Sequence, residues 1–64
     1  MMIQAKVKRT KQVVFLRKPY EGEYISAIYE PDYIQIDENY NTIQDSNGNY
    51  VEFDMEELED IQYI

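Results

Sequence analysis

The pair Asn47-Gly48, set between two alternating runs, constrains the fold of this chain more than any other feature. Asn and Gly both tolerate positive φ, so Asn-Gly between alternating segments is the strongest short-range hairpin signal. Residues 40–53 read YNTIQDSNGNYVEF. A two-residue loop would place Ile43 opposite Glu52. A three-residue loop of Ser46, Asn47 and a left-handed Gly48 pairs Asp45 with Asn49 and Ile43 with Val51. A slip of one residue exchanges the faces of every side chain, so burial selects the second register. That register puts Ile43, Val51 and Phe53 on a core face, and Tyr50 and Glu52 on an exposed one.

The remaining segments carry the same two-residue period. Ile3, Ala5 and Val7 alternate with Gln4, Lys6 and Lys8, as in a half-buried strand with a basic outer face. Residues 9–12 hold neither Gly nor Pro and read equally as a loose turn or as a bend within one long strand. Residues 13–16 are continuously apolar, which predicts a strand buried on both faces. Pro19 and Gly22 predict a turn. Residues 23–30 read as a central strand ended by Pro31, and residues 33–37 as another, with Ile34 and Ile36 on one face. After Phe53 the period changes. Asp54 and Glu57 form a capping-box pair, and Met55, Leu58 and Ile61 recur at three-residue spacing. This predicts a helical turn over about 55–60, then a closing strand; the alternative is an α+β chain with a helix over 55–63. No internal repeat is evident.

The expected fold is therefore mostly β, a single domain over 1–64 with five or six short strands. GEYISAIY, DYIQI, TIQDSNGNYVEF and DMEELEDIQYI, taken in order, resemble an SH3-like or Sm-like small antiparallel barrel with one helical turn before its last strand. Small barrels of this kind host many unrelated functions, so the resemblance implies a fold and no activity.

Sixty-four residues bury only about 60% of the unfolded surface, and without Cys no disulfide can brace the fold. Association with a partner or a second copy, as in a homodimer, would add burial. The first ten residues hold no apolar signal region and no run approaches a membrane span, which with the absence of Cys fits a cytoplasmic protein. With no His or Cys, only Ser26 and Ser46, and only two Gly, the chain lacks the usual nucleophiles, bases and phosphate-cradling loops. We expect no enzymatic activity, no metal and no cofactor. Asp45, Asn47, Asn49 and Glu56 fall at calcium-loop spacing, and Asp37, Asn39 and Asn41 begin a second one. Tyr50 stands where the first needs Gly, so both read as turn chemistry.

Charge is the feature that bears on partners. All six basic residues precede Pro19 and all thirteen acids follow it, giving −7 overall. The acidic segment predicts a partner-binding strip of Tyr50, Glu52, Asp54, Glu56, Glu57, Glu59 and Asp60 that steers a protein with a basic surface. The expected function is a small acidic protein-interaction module. Its size, acidity and richness in Ile, Asn, Tyr and Lys fit a phage or mobile-element accessory protein. The second reading is a nucleic-acid-binding small barrel using Lys6, Lys8, Arg9, Lys11, Arg17 and Lys18, with Tyr20 for stacking. Basic strands neutralised by the chain's own acids are the plainest outcome.

Overall fold

A computed structural model describes residues 2–23 and 28–64. Among these residues five antiparallel strands form one sheet: β1 (Ile3–Val7), β2 (Val13–Arg17), β3 (Tyr33–Ile36), β4 (Glu52–Phe53) and β5 (Leu58–Tyr63), in the order β4-β3-β2-β1-β5. A 3₁₀ turn, Met55–Glu57, joins β4 to β5. β4 and β5 are the two edges and do not pair, so the expected barrel is not closed. The strand expected at the centre from residues 23–30 falls for half its length on residues that are not described, and β2 holds the centre of the described sheet. Ile28 is 97% exposed, and residues 24–27 lie outside the described residues.

The alternation of β1 is realised. Ile3, Ala5 and Val7 are buried, with Val14 and Leu16 of β2, Tyr33 of β3 and Leu58 of β5 against them, and Phe53 and Ile61 at the margin. Leu16 is fully covered. Burying a side chain of this size contributes roughly 1.5–3 kcal/mol, and the seven residues of this cluster, one of them only an alanine, make a small core. β2 is less symmetric than its apolar run implied, because Val13 is exposed. Residues 9–12 belong to a hairpin loop: Val7 N–H donates to Gln12 O at 2.9 Å and Lys11 N–H to Val7 O at 2.7 Å, with Lys11 at φ 63°.

The 40–53 hairpin has the three-residue register. Asp45 N–H donates to Asn49 O at 2.8 Å, Val51 N–H donates to Ile43 O at 3.1 Å, Gln44 pairs with Tyr50, and Gly48 has φ 80°. A second loop of the same construction precedes it. Asp37 Oδ1 accepts from Asn39 and Asn41 N–H at 2.8 and 3.0 Å; Asp45 Oδ1 accepts from Asn47 and Asn49 N–H at 2.9 and 3.0 Å. In each loop the fourth residue donates its N–H to the Asp carbonyl and is left-handed, Tyr40 at φ 67° and Gly48 at φ 80°. The chain thus repeats Asp-x-Asn-x-Asn eight residues apart, and the two matching spacings seen in the sequence are one loop built twice. The Asn41 amide, ahead of Asn39, holds the Asp37 carboxyl below its usual range.

The last segment differs from expectation at its boundaries. Only Met55–Glu57 is helical, and β5 begins at Leu58 instead of 61. The pairing shifts by one residue between Gln4–Gln62 and Lys6–Glu59, which places a bulge at Asp60, left-handed at φ 54°. A bulge inserts one residue into a strand, so two inward residues, Leu58 and Ile61, stand three apart. This three-residue spacing is what a helix also produces. The reciprocal capping reach exists on one side: Asp54 N–H donates to Glu57 Oε1 at 2.9 Å, and Asp32 Oδ2 takes Met55 N–H at 2.6 Å.

Candidate functional site

The face of the sheet opposite the core carries the chemistry. Its residues follow from the ladder: Arg17 of β2 pairs with Ile34 of β3, which pairs with Glu52 of β4. Strands lie about 4.8 Å apart, so Arg17 and Glu52 sit in one row about 10 Å from each other. Ile34 and Ile36 on this face are buried, so the face is covered, and Glu52 goes in with it. Both carboxylate oxygens of Glu52 are out of water with no hydrogen-bond partner. This overturns the expectation that Tyr50 and Glu52 form an exposed face: both are half-buried. Burial first, and the Asp54 charge second, raise the Glu52 carboxyl above its ordinary value.

Arg17 does not reach Glu52 because another carboxylate holds it. Its guanidinium donates to both oxygens of Glu23, each at 2.8 Å, and to Lys18 O at 3.0 Å. It lies 4.1 Å from the centroid of Tyr20. Glu23 also accepts Tyr20 N–H at 2.6 Å. The local chain makes this possible: Glu23 N–H donates to Tyr20 O, closing a turn whose third residue, Gly22, has φ 90°, as a type II turn requires. The two side chains are 11% and 17% exposed. Arg17 in turn holds the Glu23 carboxyl below its ordinary value, more than burial raises it.

Between this turn and the 45–49 loop lies a cleft of about 370 Å³, lined by Gly22, Glu23, Gln44, Gly48, Asn49, Tyr50 and Glu52. A second cleft, of about 410 Å³, is aromatic and basic, with Arg17, Lys18, Tyr20, Tyr40 and Tyr63 on its walls. Lys18 Nζ lies 4.7 Å from the Tyr33 ring. Burial raises the Tyr33 phenol, and Tyr63 adds to the effect.

The residues of the expected acidic strip meet different partners. Asp54 accepts from Tyr29 OH at 3.3 Å, a phenol raised first by burial and then by the Asp54 charge. Glu56 and Glu57 are exposed on the 3₁₀ turn. Glu59 pairs with Lys11 at 2.7 Å, which lowers its carboxyl, and Asp60 lies 3.6 Å from Lys6. The expected basic set is divided as well. Lys8, Arg9 and Lys11 sit on the β1–β2 loop, while Arg17 and Lys18 sit at the far end of β2, roughly 20 Å away along the strand. Lys6, Lys11 and Arg17 are taken by the chain's own acids.

The part of the site not anticipated is the cleft around Glu52. A signal for it was present. Ile34 and Ile36 alternate with Tyr33 and Gln35, so both faces of β3 carry large apolar residues, and any residue paired with Ile34 enters a covered face. Among the described residues no group of three acids, His or Cys could hold a metal ion, and no helix is long and apolar enough to cross a membrane. Comparison with known protein families, curated proteins and solved structures gives no match to the chain.

Proposed function

We propose that this chain is a small, non-enzymatic protein-interaction module that covers a basic surface of a partner protein. The observation that supports it is the distribution of charge after folding. Three of the six cations are paired with Glu23, Glu59 and Asp60, and the remaining acids leave the molecule at −7. A field of that sign raises the encounter rate with a cationic protein surface and repels phosphate backbones. Glu56 and Glu57, exposed just after β4, and the Tyr50–Glu52 cleft just before them form the docking region.

The test is binding of an arginine- and lysine-rich peptide, with pull-down of basic proteins from lysate in parallel. Peptide affinity is expected to fall steeply with salt and to weaken severalfold when Glu56 and Glu57 are both reversed to Lys. Absence of binding at low salt, or binding indifferent to the double reversal, overturns the proposal.

The aromatic cleft favours a second reading. Tyr20, Tyr40 and Tyr63 are exposed beside Arg17 and Lys18, a combination on which single-stranded bases stack. Binding of single-stranded DNA at about 50 mM salt that weakens as salt rises would select this reading.

A further inference from the structure

Tyr20, Tyr40 and Tyr63 are exposed on the walls of one cleft, and each comes from a different element: the 20–23 turn, the 37–41 loop and β5. Two of the three rings are held from behind. The Arg17 guanidinium, itself fixed by Glu23, lies 4.1 Å from the Tyr20 centroid, and Tyr63 stands beside the buried Tyr33 phenol. Tyr40 supplies an independent sign. It is left-handed at φ 67° in the place where the matching loop has Gly48. A side chain strains that conformation, and a strained residue whose ring lines a cleft points to a role for the ring. We infer that this cleft is the seat for one or two stacked bases of a single strand, with Lys18 on the adjoining phosphate. The inference rests on the single-stranded reading above and is independent of the basic-partner one.

Charge and size set the occupant. Of the two cations on the walls, Arg17 is cancelled by Glu23, and Lys18 has no ion-pair partner among the described residues. Its Nζ rests 4.7 Å from the Tyr33 centroid. One uncompensated positive charge beside aromatic faces matches one phosphate beside one or two bases. A cleft of about 410 Å³ is at the small end of ligand sites, roughly 300–1,000 Å³, so it takes a nucleotide or two and not a long track of strand. The overall charge of −7 repels phosphates beyond the seat, which confines the contact to the cleft. A proline-rich peptide would use the rings and leave Lys18 without a counter-charge.

The test is an NMR titration of the ¹⁵N-labelled chain with an oligothymidine hexamer and with an abasic hexamer of the same charge. At about 50 mM salt the thymidine strand should give saturable shifts of the Lys18, Tyr20, Tyr40 and Tyr63 amides, and the abasic strand none. With one phosphate contact, at a slope of roughly −0.7, affinity should fall only about fivefold for a tenfold rise in salt. Tyr20→Ala and Tyr63→Ala should each weaken binding about fivefold or more, as for loss of one stacked base. Tyr40→Gly should bind as weakly while unfolding at a higher urea concentration, which separates loss of the ring from loss of the fold. Absence of hexamer binding overturns both the inference and the single-stranded reading. Equal binding of the abasic strand, or indifference to all three tyrosine variants, places the strand on other cations and overturns the inference alone. Tighter binding of decaproline at the same amides, or shifts there with protein concentration alone, overturns it in favour of a protein partner or a second copy.

Discussion

Replacing Glu52 by Gln should stabilise the free protein at pH 7 and do almost nothing at pH 3.5. The two side chains have the same length, and the Glu52 oxygens have no hydrogen-bond partner among the described residues. Only the charge differs. Leaving a buried polar group unsatisfied costs roughly 1–3 kcal/mol, with more for a charge. The sign follows from the direction of the shift. The Glu52 carboxyl is raised in the folded state above its ordinary 4.5. Its penalty therefore appears as pH rises through the unfolded value and is complete above the folded one. Below both, the proton is bound in either state and the variant matches the native chain. At neutral pH we expect a gain of about 1–3 kcal/mol. For a domain of 60–100 residues, 1 kcal/mol moves Tm by about 4–8 °C. Urea and thermal unfolding followed by circular dichroism at the two pH values decide the matter. A loss of stability at pH 7 contradicts the reasoning. An equal gain at both values would mean that shape, and not charge, is responsible.

The Arg17–Glu23 pair should respond in the opposite way. Arg17→Met leaves Glu23 without its fork and should cost about 2 kcal/mol at pH 7, as for loss of a partly buried charged pair. Because Arg17 lowers the Glu23 carboxyl, that cost is present above about 4.5 and should shrink as pH falls through the depressed folded value, which a urea series from pH 7 to 3 reads directly. Gly48→Ala should cost about 1 kcal/mol by equilibrium unfolding. A Cβ there meets nothing within 4 Å, so the cost is that of the left-handed backbone alone. Asp60→Gly should be neutral or stabilising by up to about 1 kcal/mol in the same assay, since it relaxes the left-handed bulge while giving up only an exposed contact to Lys6.

Where side-chain alternation and turn chemistry act alone, the sequence was a sufficient guide. Ile3, Ala5 and Val7 bury as their spacing implies, and the Ser46-Asn47-Gly48 register follows from matching Ile43 to Val51. Departures arise where a longer-range choice intervenes. Leu58 and Ile61 stand three apart because of a bulge opposite β1, and nothing local separates that spacing from a helical one. Tyr40 conceals that the 37–41 loop closes like the 45–49 loop, since a left-handed tyrosine carries no turn signal, whereas Gly48 in the equivalent place does. Glu52 was assigned to solvent by its polarity, although its neighbour across the ladder is Ile34. Polarity predicts the side of a strand only when one face of the sheet is open. The acidic strip shows the same effect of the sheet, with Glu56 and Glu57 left exposed. Charges contiguous along the chain were distributed by the sheet among Tyr29, Lys11, Lys6 and a buried row.

The placement of β1 between β2 and β5 also sets an order of events during folding. β1 meets β2 across a five-residue loop, whereas Val7 meets Leu58 only when some fifty residues of chain have been closed. Loop-closure entropy makes the second encounter about 2 kcal/mol more expensive than the first. β5 should accordingly join late, after the hairpin and the centre of the sheet exist. Residues of β5 would then act mainly on how long the native state survives, and residues of the β1–β2 hairpin on how fast it is reached. The edge strand that brings Leu58 to the core is in this sense the latch of the domain: it contributes little to the search, and the lifetime of the folded chain depends on it.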